Sequence, residues 1–172
     1  MAEYRVKRSK SNESLPEIVE LLADAVAAAN LINRRRILAS ATPGQRLLCA
    51  YYFYRDDVTN GGHWQYFENY TGNLWQEALD ATKVLRLREE KVLRDAVALF
   101  PNRRPAATQR ERRQQLAKIK PASFEKLDDR FYALQTDDSK IRQYIRMHPG
   151  EFFLPRSSRS AAVRVSRRPR VR

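Results

Sequence analysis

Few residues in this chain could carry catalysis. His63 and His148 are its only imidazoles and Cys49 is its only thiol. A metal centre needs several such ligands at matched spacing, so no metal and no cofactor is expected. Cys49 stands between Leu48 and Tyr51 in an apolar stretch. That setting reads as a small buried group and not as an activated thiol. Asp128 and Asp129 are adjacent, so a helix points them in two directions. No G-x-S-x-G, P-loop or dinucleotide fingerprint occurs. The chain is therefore read as not an enzyme, and a polar site around Asn60, His63 and Gln65 is the least favoured alternative.

Two segments could bind. Asn60-Gly61-Gly62-His63-Trp64-Gln65-Tyr66-Phe67-Glu68-Asn69 is the densest polar-aromatic stretch. Its paired glycines permit positive φ and a tight approach of two helices. Gln65 and Asn69 fall at i and i+4 on one face if 63–69 is helical. Two readings stand: a corner whose polar groups satisfy backbone, or a partner-binding surface of Asn60, Gly61, Gly62, Gln65 and Asn69. The second segment is the cluster Arg103, Arg104, Arg110, Arg112 and Arg113, with Glu111 its one acid. It is a phosphate-contact candidate for nucleic acid, or a solvated polar helix. No aromatic residue interleaves it, so base stacking is not suggested.

Charge is segregated along the 172 residues. The total is +13, yet residues 156–172 alone hold seven arginines, Arg167 and Arg168 among them, and no acid. Setting aside both termini, the triplet Arg34–Arg36 and residues 101–120 leaves 12 bases against 17 acids, a body of −5. The expected organisation is a basic flexible N-terminus over 1–14, one helical domain over 15–155, and an Arg-rich disordered tail over 156–172. Such a tail would bind nucleic acid weakly, without sequence preference and in a salt-sensitive way. No apolar run reaches the roughly 18 residues that span a bilayer, and the N-terminus lacks an apolar signal core. A cytoplasmic setting without membrane contact is expected.

Helices must position these segments. Ser14-Leu15-Pro16-Glu17 fits a capping box, followed by Ile18, Leu21, Leu22, Ala25 and Val26 at helical spacing, with Asn30 closing the run. Thr42-Pro43 opens a second long helix to about Val58, broken at Thr59–Gly62 and resumed over His63–Asn69. Asn73 with Gln76 is a further capping-box candidate. Residues 108–119 read as a polar surface helix. Phe124, Leu127, Phe131 and Leu134 mark another helix, and Ile141 to His148 the last, stopped by Pro149-Gly150. No segment has the period of a strand. The fold class is all-α, one domain of about seven or eight helices.

Three motifs in order, NGGHWQYFEN, SFEKLDDRFYAL and YIRMHPGEFF, resemble a bacterial DNA-mimic-protein-like family. The matching positions are Asn60, Gly61, Gly62, Trp64, Gln65, Tyr66, Phe67 and Asn69. They continue with Leu127, Asp128, Phe131 and Tyr132, then Tyr144, Ile145, His148, Pro149 and Phe153. His63 stands where the family more usually has an aromatic ring. The resemblance implies an all-helical fold, no established enzymatic activity and a protein partner such as a transcription regulator. A duplex mimic needs carboxylates at phosphate-like density. Asp56, Asp57 and Glu68 flank the first motif, and Asp128, Asp129, Asp137 and Asp138 the second. They would form one acidic patch only if the two groups met, and a body of −5 is a poor duplex by charge.

Overall fold

Thr42 opens the longest helix as the sequence requires. Its hydroxyl accepts from Gln45 N, and the Gln45 side chain accepts from Thr42 N at 3.1 Å, which completes a capping box. This helix organises the fold of the computed structural model, which describes residues 4–6, 15–134 and 138–154. Among the described residues the order is α1 (Leu15–Ala28), α2 (Leu31–Ser40), α3 (Pro43–Glu68), a 3-10 turn (Tyr70–Leu74), α4 (Trp75–Val84), α5 (Glu89–Val97), a 3-10 turn (Pro101–Arg103), α6 (Gln109–Leu116), α7 (Ala122–Tyr132), α8 (Asp138–Met147) and α9 (Pro149–Phe152). The all-α class is as expected, and α9 is a single turn that the sequence reading did not separate. No described helix is long and apolar enough to cross a membrane.

α3 lies at the centre and packs on α1, α4, α6, α7 and α9. Its buried face carries Leu48, Cys49, Tyr51, Tyr54, Val58, Tyr66 and Phe67. Around it Phe67, Phe100 and Phe124 stack edge to face or tilted, with centroids 4.7–6.5 Å apart. Such pairs add about 0.5–1.5 kcal/mol each beyond the area they bury. Burial pushes the Cys49 thiol up to about 12, so it is a packed apolar group.

Four local expectations change. Asn30 does not close α1; its side chain accepts from Asn33 N and starts α2. Asn73 caps nothing, because its amide oxygen is taken by Arg112 and α4 begins at Trp75 without a side-chain cap. α6 contacts the core through Leu116, as its polar pattern allows, but Arg112 is buried as well. The chain's N-terminal segment is partly docked: Val6 pairs in parallel with Phe153, through Val6 N to Phe152 O at 2.9 Å and Leu154 N to Val6 O at 3.0 Å. The cap residue Ser14 and the tail arginines Arg167 and Arg168 lie outside the described residues.

Candidate functional site

The paired glycines break α3 into two helical segments that meet at a kink, since neither has helical φ/ψ. Gly61 is extended in φ at −165°, whereas Gly62 sits at φ +74°, where a side chain is strained. A Cβ on Gly62 would also lie 2.5 Å from Asp128 Oδ2. The glycine therefore allows α7 to press its carboxylate onto the bend. Asp128 Oδ1 accepts from His63 N at 2.8 Å and lies 2.6 Å from His63 Nδ1. His63 Nε2 then pairs with the Tyr54 hydroxyl at 3.1 Å. With Asp128 ionised, Nδ1–H donates to it and Nε2 accepts from the phenol. Phe131 packs edge-on against both rings, and the Tyr132 hydroxyl donates to Val58 O at 2.8 Å. The NGGH segment and the LDDRFY helix are thus two halves of one clamp.

Downstream of the bend a second network fixes the chain. Asp57 accepts from Asn69 Nδ2 at 2.7 Å and from the Thr71 hydroxyl, while Gln65 Nε2 reaches Asp57 O at 3.4 Å. Burial raises the Asp57 pKa, and the hydrogen bonds from Thr71, Asn69 and Gln65 partly oppose that rise. Gln65 and Asn69 do share a face, as their spacing requires, but that face turns back onto α3. Asn60 and Gly61 are exposed, and Gly62 is buried.

Arg112 leaves the phosphate-contact set, because it is fully buried. It donates to Phe67 O and Asn69 O at 2.6 Å each, to Asn73 Oδ1 at 2.9 Å and to Ala106 O at 3.0 Å. Its planar fork suits four acceptors spread around one point. Burial pulls its pKa down to about 10, so it still carries charge at neutral pH. Arg103, Arg104, Arg110 and Arg113 remain exposed. Arg113 Nε donates to Glu68 O at 3.1 Å, which ties α6 to the end of α3.

The third motif closes the other end of α3. Glu151 accepts from Gly44 N through its carboxylate and from the Thr42 hydroxyl through its carbonyl, the latter at 3.0 Å. His148 stacks on Tyr144 with centroids 4.4 Å apart, and its Nδ1 lies 3.6 Å from Glu151. A carboxylate does follow this histidine at i+3, which the sequence reading passed over. No group of three or more metal-type ligands converges among the described residues.

The acids that flank the motifs do not meet as one patch. Asp128 faces His63, Asp57 faces Asn69, and Asp138 pairs with Arg55 at 3.2 Å. Asp137 lies outside the described residues. An acidic groove forms elsewhere, between α1 and α3. Glu17, Glu20, Asp24, Asp56 and Asp57 line a cavity of about 550 Å³ beside Tyr52 and Tyr70. Burial, then the Asp56, Asp24 and Glu20 carboxylates, hold the Tyr52 hydroxyl above its ordinary range. The signal for this groove was the 17, 20, 24 spacing on α1, one helical face.

Neither the curated proteins nor the solved structures contain a match to the chain. A protein family described as DMP19-like protein matches residues 39–148, from the end of α2 to the histidine that precedes α9. That span holds the glycine bend, the Asp128 clamp and the Arg112 staple, and it makes up more than half of the chain. The chain belongs to the DMP19-like protein family.

Proposed function

We propose that this chain is a non-enzymatic protein-interaction domain that presents the α1–α3 groove to the basic surface of a DNA-binding protein. The observation that carries this reading is the gathering of Glu17, Glu20, Asp24, Asp56 and Asp57 around one groove. At 1.5 Å rise per residue, the three α1 carboxylates spread over about 10 Å of axis. Three successive phosphates of one DNA strand spread over about 7 Å. The local charge is therefore of phosphate-like density even though the body has only 17 acids against 12 bases outside its basic segments. Membership of a DNA-mimic-like family supports the same reading.

The absence of a catalytic role is supported by the burial of the one relay-like arrangement. Asp128, His63 and Tyr54 stand in the order of an acid–base relay, yet His63 and Tyr54 are both 0 % exposed. That burial supports reading the relay as a structural clamp. A second reading, nucleic-acid contact through basic residues, is favoured by the exposure of Arg103, Arg104, Arg110 and Arg113.

The test uses residues 1–155, free of the arginine tail, immobilised and exposed to a host-cell lysate. Bound DNA-binding proteins should be displaced by added duplex DNA. The variant E20Q/D24N/D56N should lose them at unchanged melting temperature. Retention by the triple variant, or indifference to duplex, would overturn the proposal.

A further inference from the structure

A second cavity lies on a different side of α1. Its volume is about 760 Å³, and α2, the 70–74 turn, the start of α4 and the first turns of α6 enclose it. Its wall is apolar where Leu38, Leu74 and the Tyr70 ring face it. Arg35 from α2 and Arg110 and Arg113 from α6 also line it, Arg113 with its Nε already on Glu68 O. Arg110 and Arg113 are three residues apart and so share one face of α6. Arg35 and Arg110 make no hydrogen bond or ion pair among the described residues, and both are exposed. Glu77 adds a single carboxylate to the same lining.

Another arginine holds the wall in place. Arg34 lies over the Tyr70 ring at 3.5 Å and donates through Nε to Val26 O at 2.9 Å. It is committed to the C-terminal carbonyls of α1 and to Tyr70, and is not among the groups free to take a ligand.

We propose that this cavity binds a nucleoside phosphate, with the phosphate on Arg35, Arg110 and Arg113, the base against Leu38, Leu74 and Tyr70, and ligand hydroxyl or amino donors on Glu77. Three features select that chemistry. Three arginines in one lining favour an anion, and guanidinium forks match phosphate oxygens. An apolar wall rewards burial of a flat ring. A lone carboxylate beside three arginines leaves the lining net positive and adds one acceptor, which suits an anion that also carries donors. The volume falls within the range of small-molecule sites, about 300–1,000 Å³. The geometry also separates this site from an open phosphate track for duplex DNA, because a pocket admits one nucleotide and not a rod. Arg35 and Leu38 lie before the family match begins at residue 39, whereas Tyr70, Leu74, Glu77, Arg110 and Arg113 lie within it.

The experiment is calorimetric titration of the full chain at low salt with adenosine, guanosine, cytidine and uridine 5′-monophosphates. Adenosine, inorganic phosphate and a short single-stranded oligonucleotide are the controls. At least one monophosphate should bind at one site per chain, tenfold or more tighter than adenosine or inorganic phosphate. The double variant R35A/R110A should weaken it at least tenfold with no change in melting temperature. L38E, which places a carboxylate on the apolar wall, should weaken it as well. Tighter binding of the oligonucleotide that is lost in the same variants identifies a terminal nucleotide of a strand as the source and supports the site. Binding of inorganic phosphate as tight as any monophosphate would overturn the proposal. So would saturation unchanged in R35A/R110A, which assigns binding to the arginine tail, or no saturation by any probe. None of these outcomes bears on the α1–α3 groove, so the two proposals fail separately.

Discussion

Replacing Arg112 with Ala strips donors from three backbone carbonyls and from Asn73 at once. Each buried acceptor left unpaired costs about 1–3 kcal/mol, so R112A should lower stability by at least about 3 kcal/mol in urea denaturation. Arg110, two residues earlier and exposed, should tolerate Ala within about 0.5 kcal/mol. The two glycines divide in the same way. G62A forces a side chain into φ +74° and onto Asp128, so it should cost at least about 2 kcal/mol. G61A keeps an ordinary φ but presses on the Gln65 side chain, with the Gln65 Cβ 3.2 Å away, and should cost about 1 kcal/mol, less than G62A. Equal effects at the two glycines would show that the bend is not held by the Asp128 clamp.

At the scale of elements, the Asp57 network makes the α3 bend pH-sensitive in an unusual direction. Its folded pKa is raised above the ordinary 3.8, so the folded state holds the proton more tightly than the unfolded chain does. The contribution is fully present below pH 3.8 and is lost as pH rises through the folded pKa. Wild type should therefore gain stability relative to D57N as pH falls from 7 towards 4. A difference that is flat over that range, measured by urea denaturation, would remove Asp57 as the cause. The double variant Q65A/N69A should itself be destabilised, because both side chains bond to Asp57. Elements closed by neighbours were legible in the sequence: the Thr42–Gln45 box spans four residues, and Gly61-Gly62 marks its own bend. What was not legible crosses the chain. Asp128 reaches His63 from 65 positions away, and Arg112 reaches Phe67 from 45. Nothing in the polar run Gln109–Gln115 distinguishes the one arginine that turns inward, because the acceptors that draw it in belong to other segments. The groove crosses the chain in the same way: Glu17 and Glu20 are ordinary acids near the start of α1 until α3 brings Asp56 and Asp57 against them.

The whole molecule joins a domain of mixed charge, 22 bases against 18 acids over 15–155, to basic ends. Removing 156–172 lowers the formal charge from +13 to +6. Duplex DNA binding by the full chain should be weak and fall steeply with salt, since each neutralised phosphate releases about 0.9 counterion. The truncated chain should lose most of it and keep its helical circular dichroism, because Phe152 and Phe153 precede the cut and remain in the core. Equal binding by the two forms, titrated at several salt concentrations, would acquit the tail.

The pairing of Val6 with Phe153 has a topological consequence. It brings the two ends of the folded path side by side, so the domain is nearly a closed ring of chain. The pairing is parallel, so a linker from Leu154 back to Tyr4 must run the length of the bridge, which a few glycines can do. A ring can be opened anywhere its backbone is not needed. The exposed connection between α6 and α7, at Lys120 and Pro121, comes near to that, since the local bond from Ser123 N to Lys120 O at 2.9 Å spans the cut. A circular permutant that starts at Pro121 and ends at Lys120 should fold to the same helical content and melt cooperatively. In that molecule the tail could be left out altogether or attached at a new point, and position along the chain would be uncoupled from position in space.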